Sequence, residues 1–501
     1  MSLRINLMII ATTAIITTSC KKHLDINVDP DVPSLEQGTP ELVFPAGVAS
    51  AAGRIGGDLA IVGGIWSQFY TQNTTSSQYR NVDAFNMSKN DFGSTLLSSP
   101  WAELYSGALN DFQFVITKSK ALKNWNYNLM ATVMKAYTLQ VLVDFYDKVP
   151  YTEAFQGADN LAPHFDDGYT VYKGILAELD SALNKNFEAS TNTFAAETDF
   201  IFPEPLTDWT IDPWIKFANT LKLKLYTRMV YAKPAEAEAG IKKLYADGAE
   251  FLDVDAKMDV FEDAPDKSNP FYEFNFRKLN TSENLKASVT FLSWLQANND
   301  PRIDNYFETV SGSTAYLGIN QGDYENIDPA FNKASRAKVL ATAPVDFISL
   351  AESHFLQAEA LERFFGGVGA KAHYDAGVTA AFARYGENAS TFIAPGGKYA
   401  YPSGGTFEQK LEAIITQKWA SMPGSHAAEA FFERNRTNYP KTSPVYSTDA
   451  GYIAGQFVYP KKGVTNGVFA KRLIWPDVEI SKNANAPAEE PVTKEVWWDV
   501  H

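Results

Sequence analysis

Six histidines, one cysteine and 59 acidic residues are the groups in this 501-residue chain that could carry a reaction. The histidines are His23, His164, His354, His373, His426 and His501, and no two stand in an HExxH spacing that would place a metal pair on one helix face. His354 and His373 fall on helices expected to pair and could approach each other, although packing is the commoner use of histidines in that setting. No G-x-S-x-G elbow is present. The Gly366-Gly367-Val368-Gly369-Ala370-Lys371 run has alanine where a phosphate loop needs its second glycine, and it follows a helix instead of a strand. Asp25, Asn27, Asp29, Asp31 and Glu36 share the offsets of a calcium loop, but Pro30 stands where that loop turns on glycine, so the stretch reads as a tether. Carboxylates are abundant enough for a glycosidase pair, yet no spacing singles one out. The reading is a protein without catalytic residues, metal or cofactor.

The cysteine has a different chemistry. Cys20 follows a short leader with one basic residue (Arg4), an apolar stretch from Ile5 to about Ile16, and small polar residues. That is the layout of a secretory signal. Thr17-Thr18-Ser19-Cys20 looks like a lipobox, with Thr17 where leucine is usual, so the expected fate of Cys20 is acylation by a diacylglycerol and often palmitate. The alternatives are an ordinary signal peptide with an incidental cysteine, or a buried N-terminal helix. A single thiol excludes an internal disulfide and a multi-cysteine zinc or iron–sulfur site. Residues 1–19 are then a signal peptide, 20–40 a lipid-tethered segment, and 41–501 one domain.

Helices must position whatever that domain binds. In Pro213–Ala232, Trp214, Ala218, Leu221 and Leu225 recur at helical spacing, while Lys216, Lys224 and Arg228 point elsewhere. Asn128–Tyr146 is apolar on almost every side, which predicts a helix buried between neighbours. Asp346–Phe365 is amphipathic and stops at Gly366-Gly367. Further helices are predicted near 41–55, 57–72, 100–123, 168–187, 234–247, 285–298, 371–385, 406–421 and 426–436. Four pairs emerge: 100–123 with 128–146, 168–187 with 213–232, 346–365 with 371–385, and 406–421 with 426–436. The fold class is mostly α, with about four tetratricopeptide-like helix pairs supporting a loop-rich binding face. Long aromatic-bearing excursions separate the pairs, near 73–98, 188–210, 255–284, 308–345, 387–405 and 438–470. Net charge is −15 and the longest basic runs are pairs such as Lys242-Lys243, so nucleic acid is not an expected partner.

Several segments together resemble one family, the SusD/RagB outer-membrane lipoproteins of Bacteroidetes, in its SusD-like branch. They are the stretch after Cys20, Asp147–Phe155 (DKVPYTEAF), Trp214–Leu225, Asn299–Arg302, Ala351–Ala360, Gln417–Trp419, Arg472–Asp477 and Val496–Asp499. The resemblance implies a non-enzymatic cell-surface lipoprotein of the outer membrane. It would bind oligosaccharides and deliver them to a SusC-like TonB-dependent transporter. A peptide binder of the same fold is the alternative, and a surface glycosidase is the rival of another class. The matching segments read as scaffold (Trp214, Phe217 and Leu221 as helix packing, Pro150-Tyr151 as a turn), so no ligand residue transfers by motif.

Sugar rings have apolar CH faces and hydroxyl rims, and a site for them needs aromatic platforms with a few polar partners. Trp66 and Tyr70 at the end of helix 57–72, followed by Asn73, Tyr79 and Arg80, offer one such set. Tyr272, Arg277, Tyr306, Tyr316 and Tyr324 offer a second. Core burial competes for each aromatic, on at least equal terms for Trp66. Tyr79, Tyr316 and Tyr324 lie in polar loops and are expected to be exposed.

Overall fold

A computed structural model of the protein describes residues 38–87, 98–191, 198–205, 208–278 and 283–500. Cys20, the leader and the Asp25–Glu36 stretch lie outside the described residues. Helix α1 (Pro40–Arg54) opens on a proline, whose missing N–H would have no intrahelical partner there. It continues through a π-turn (Ile55–Leu59) into α2 (Ala60–Trp66). The whole run is long and apolar enough to cross a membrane, yet 78% of its most apolar window is buried inside the protein. It is a core helix. Gly63 permits this, because a Cβ there would stand 2.4 Å from the Cα of Ala428.

Gln68 then takes a left-handed φ of 55° and ends the helical course, so residues 70–72 form strand β1 (Tyr70–Gln72) and not the last turn of a helix. Lys123, also left-handed, separates α3 (Asn110–Leu122) from α4 (Trp125–Tyr146). Asn124 caps α4 by accepting the Tyr127 N–H at 3.4 Å. Every residue of α4 from Tyr127 to Tyr146 is buried, as its all-round apolarity predicts. Next come β2 (Lys148–Pro150), β3 (Phe165–Asp167), α5 (Gly168–Leu183), α6 (Asp212–Arg228) and α7 (Pro234–Ala246). They are followed by β4 (Ala256–Met258), β5 (Leu285–Ala287), α8 (Val289–Asn298) and β6 (Val345–Ile348). The last helices considered are α9 (Leu350–Phe364), α10 (Ala370–Ala383), α11 (Phe407–Ala420) and α12 (Ala427–Thr437).

The four expected pairs, α3–α4, α5–α6, α9–α10 and α11–α12, are all in contact. Two details differ. Helix α5 packs more extensively on α4 than on α6, and α6 takes α7 as its main partner. Residues 285–287 and 345–348, read as the starts of helices, are strands, and so is Lys148–Pro150. Each pairs antiparallel in a two-stranded ladder, β1–β5, β2–β3 or β4–β6, where tertiary pairing overrides local periodicity.

Trp214, Phe217 and Leu221 are fully buried, each stabilising by about 1.5–3 kcal/mol or more. Lys224 and Arg228 overturn the expectation that they leave the core. Lys224 lies 3.1 Å from Glu352 and 2.9 Å from Glu429, and Arg228 lies 3.2 Å from Asp144 and 2.5 Å from Glu429. Lys418, Glu433, Arg436 and Glu359 extend this buried network across α9, α11 and α12. Burial opposes the charge on Glu433, but Arg436, Lys418 and Arg228 outweigh it and hold its pKa well below the carboxylate range. The long basic side chains face inward because acidic residues on three other helices meet them.

The C-terminal segment closes the structure over the end of α4. Leu473 N–H donates to Phe145 O (2.7 Å), Trp475 Nε1 to Lys148 O (3.0 Å) and Trp498 Nε1 to Asp144 Oδ1 (2.8 Å).

Candidate functional site

The β1–β5 ladder brings together two loop systems that lie far apart in sequence. The amide N–H of Asn73 donates to Asn284 O at 2.8 Å, its side-chain Nδ2 to Glu283 O at 2.7 Å, and Thr74 Oγ1 to Asn332 Oδ1 at 3.1 Å. Beneath them Asp83 accepts from Thr71 Oγ1 (2.7 Å), Gln72 N (3.0 Å) and Gln321 Nε2 (2.5 Å). Burial, opposed by these donors, pushes the Asp83 carboxyl up to about 6. The two predicted residue sets therefore belong to one face.

Within that face their roles divide. Trp66 is core: its Nε1 donates to Val82 O (3.0 Å) and its ring packs 4.9 Å from Phe431. Asn73 is buried as an extension of the ladder. Tyr79, expected to be exposed, is 1% exposed, because Gln72 Oε1 accepts its backbone N–H at 2.6 Å and draws the turn inward. Tyr324 is also buried, under the guanidinium of Arg80 at 5.2 Å from its ring centre. Tyr316 is half-buried and its hydroxyl donates to Asp304. Tyr272 is half-buried between Phe276, 4.9 Å away, and Arg277, 5.1 Å away; Arg277 is in turn paired with Asp263.

Tyr70 and Tyr306, both buried, come together on the wall of a cleft of about 470 Å³. Tyr385 packs edge-on to Tyr306 at 5.2 Å, and Asn269, Asn305, Lys338, Asp346, Arg384 and Ser425 are among the polar lining, with Asp255, Lys257 and Thr342. Each polar group has a local reason for its position. Asn269 caps the turn at 270–272 by accepting the Tyr272 N–H (3.2 Å), while its Nδ2 donates to Ala343 O (2.9 Å). Lys338 Nζ donates to Asp304 O at 2.7 Å. Asp346 lies on β6 with Oδ2 paired to Arg384, and its buried Oδ1 has no hydrogen-bond partner. Burial raises the phenol pKa values of Tyr70, Tyr306 and Tyr385, so all three are neutral hydroxyls at physiological pH. The lining combines aromatic rings, amides, a guanidinium and carboxylates.

Sequence reasoning reached Tyr70 and Tyr306 but missed the other lining residues. Asn269, Asp346, Arg384 and Ser425 come from four separate segments, so no spacing in the chain links them. Among the described residues no group of three histidine, cysteine or carboxylate side chains could hold a metal. His354 and His373 do meet, with Nδ1 atoms 3.1 Å apart. Their ring centres are 5.4 Å apart, close to the sum of that distance and the two ring radii, so the nitrogens point at each other. Burial lowers both pKa values, that of His354 to about 4, which leaves neutral rings joined by one N–H···N bond between α9 and α10. The pair is a packing contact.

A family model described as "Starch-binding associating with outer membrane" matches residues 64–460. No curated protein matches the chain. Among solved structures, a chitin-binding SusD homolog from Flavobacterium johnsoniae is 22% identical with a TM-score of 0.74, covering 91% of this chain and 98% of that one. A SusD homolog from Bacteroides uniformis is 22% identical with a TM-score of 0.70 over 92% and 99% of the two chains. A SusD-like protein from Bacteroides thetaiotaomicron is 20% identical with a TM-score of 0.70 over 92% and 99%. The chain belongs to the SusD-like family, whose members are outer-membrane-associated, bind oligosaccharides without catalysis and work with SusC-like transporters.

Proposed function

We propose that this member of the SusD-like family captures neutral oligosaccharides in the cleft around Tyr306, Asp346 and Arg384 and passes them to a SusC-like TonB-dependent transporter. One observation carries the reading. The cleft brings three tyrosines, two asparagine amides, carboxylates and a guanidinium onto one lining from segments far apart in the sequence. Such a mixture supplies the aromatic and hydrogen-bonding groups that the CH faces and hydroxyl rims of a sugar need. The lining carries both signs, Asp255 and Asp346 with Lys257, Lys338 and Arg384, which fits an uncharged guest. Tyr316, half-buried, is tied by its hydroxyl to Asp304, next in sequence to the lining residue Asn305. The chitin-binding relative is consistent with a glycan guest.

Acylation of Cys20 would hold the protein on the cell-surface side of the outer membrane. More than one acyl chain is needed for a stable tether. In the absence of the transporter, Cys20→Ala should move the protein from the membrane fraction to the soluble one.

Calorimetric titration of the purified protein with uncharged oligosaccharides and with peptide pools tests the binding reading. Saturable binding of an oligosaccharide that Arg384→Ala abolishes is the expected result. Binding of peptides alone, or hydrolysis of the titrated glycan, would replace it with the peptide-carrier or glycosidase reading.

A further inference from the structure

We propose that the chain carries a second glycan-binding site, a trench walled by Trp101, Tyr105 and Phe155, that holds an uncharged saccharide chain independently of the Tyr306–Arg384 cleft. The proposal rests on the glycan reading above.

The trench consists of two adjoining clefts, of about 780 and 400 Å³, that share Glu103 as a common wall. Its aromatic wall is built and fixed. Trp101 and Tyr105 lie 5.0 Å apart, Tyr105 and Phe155 stack at 6.3 Å with 23° between their planes, and the Tyr105 hydroxyl is held by Pro150 O at 2.9 Å. Phe155 holds its place in an unfavourable backbone conformation, with φ of 64°. A bulky residue in the left-handed region is strained, and such residues cluster at ligand sites. At the rim Leu161 is 83% exposed and Val478 54% exposed, leaving apolar surface open on the same cleft.

Charge selects the occupant. The cleft's two carboxylates are already engaged: Glu103 is paired with Arg54, and Glu479 accepts from Trp101 Nε1 (3.3 Å) and Asn483 Nδ2 (2.9 Å). The larger cleft has no lysine or arginine among its lining residues, so nothing there would hold a phosphate, sulfate or uronate. What remains are the half-buried rings of Tyr105 and Phe155, backed by the buried Trp101, with aliphatic rims and the exposed amides of Asn110 and Gln156. That combination matches the apolar faces and hydroxyl edges of neutral sugars. Past Glu103 the trench continues to Phe274, where Arg54, Lys267 and Lys278 are each paired with a carboxylate (Glu103, Glu262 and Asp266), so the length of the trench suits an uncharged chain of several units better than a single ring.

Phe155→Gly tests this with an unusual signature. It removes the platform and at the same time relieves the backbone, since glycine accepts positive φ. The probes are uncharged hexasaccharides (α-1,4-glucan, β-1,4-glucan and β-1,4-linked N-acetylglucosamine) titrated by calorimetry. The parent should bind two equivalents of at least one of them. Phe155→Gly should bind one, with the melting temperature unchanged or raised, and Leu161→Ser should weaken the same equivalent severalfold. Asp346→Asn should weaken the other equivalent and leave the trench's intact. A parent that binds one equivalent, unaltered in Phe155→Gly and Leu161→Ser, overturns the trench and leaves the glycan reading standing. A parent that binds none of the hexasaccharides defeats the glycan reading, and the trench with it. If both variants bind like the parent but no longer co-purify with the transporter, the trench is a protein-docking face and the proposal is wrong.

Discussion

The network between α6, α9, α11 and α12 and the cleft around Asp346 are made of the same residue types, and they differ in what faces them. In the network each ion has several opposite charges within reach: Lys418 lies 3.4 Å from Glu352 and 3.5 Å from both Glu429 and Glu433. None of its members lines the clefts described above. In the loop-face cleft Arg384 meets Asp346, and Asp255, Lys257 and Lys338 share the lining of an opening. Charge packed against charge in the core holds the scaffold together; charge lining an opening is placed where a guest could meet it. Residue type alone does not separate the two.

The contrast can be broken from either side. The largest effect is expected from Arg228→Met, which strands Asp144 and takes one partner from each of Glu429 and Glu433. Removal of one member of a buried ion cluster destabilises by about 3–5 kcal/mol. Urea unfolding should show that loss, and a change under about 1 kcal/mol would mean that solvent already reaches the network.

Next is Tyr79→Ala. The ring is buried, so the substitution should cost about 3 kcal/mol of stability. Affinity of the folded fraction should stay at the parent's value; a selective loss of binding would return Tyr79 to the site.

A pH series sharpens the comparison, because the two regions titrate with opposite sign. Glu433, held low in the folded protein, contributes stability that is present above its unfolded pKa and is lost as pH falls through the folded one. Asp83, under the loop face, is raised to about 6 against roughly 3.9 in the unfolded chain, so its contribution is lost as pH rises from about 4 to 6. Comparing unfolding at pH 4 and pH 7, Asp83→Asn should remove on the order of 2–3 kcal/mol of this opposing slope. An unchanged profile would show that Asp83 titrates normally. The smallest effects belong to the open region. Asp346→Asn should weaken oligosaccharide binding about tenfold, and Tyr316→Ala somewhat less, each with a melting temperature close to the parent's.

The helical scaffold was legible because periodicity is local: the all-round apolarity of α4 and the Trp214–Leu225 stripe each specify a buried surface by themselves. The strands were not legible. Tyr70–Gln72 and Val345–Ile348 become strands only because Leu285–Ala287 and Ala256–Met258 arrive beside them from distant segments. Lys224 and Arg228 misled for a related reason, since their partners lie on other helices. The loop face was found in outline, as two aromatic sets that the β1–β5 ladder unites. Its interior was not, because the burial of Tyr79 is decided by one hydrogen bond that its backbone N–H donates to Gln72, and Arg384 and Asp346 meet only in three dimensions.

The closure of the fold by its C-terminal segment sets a timetable. Trp498 and Asp144 are 354 positions apart and hydrogen-bonded. At a synthesis rate of about 5–20 residues per second, roughly 20–70 s pass between the emergence of one partner and that of the other. During that interval α4 lacks the indole that caps Asp144 and the strand-like stretch that covers Phe145. The apolar helix most completely buried in the finished protein is therefore among the last to be sealed. A chain of this design must be shielded from aggregation while it waits, and a premature stop just before Arg472 would leave the C-terminal end of α4, at Asp144 and Phe145, without its cover.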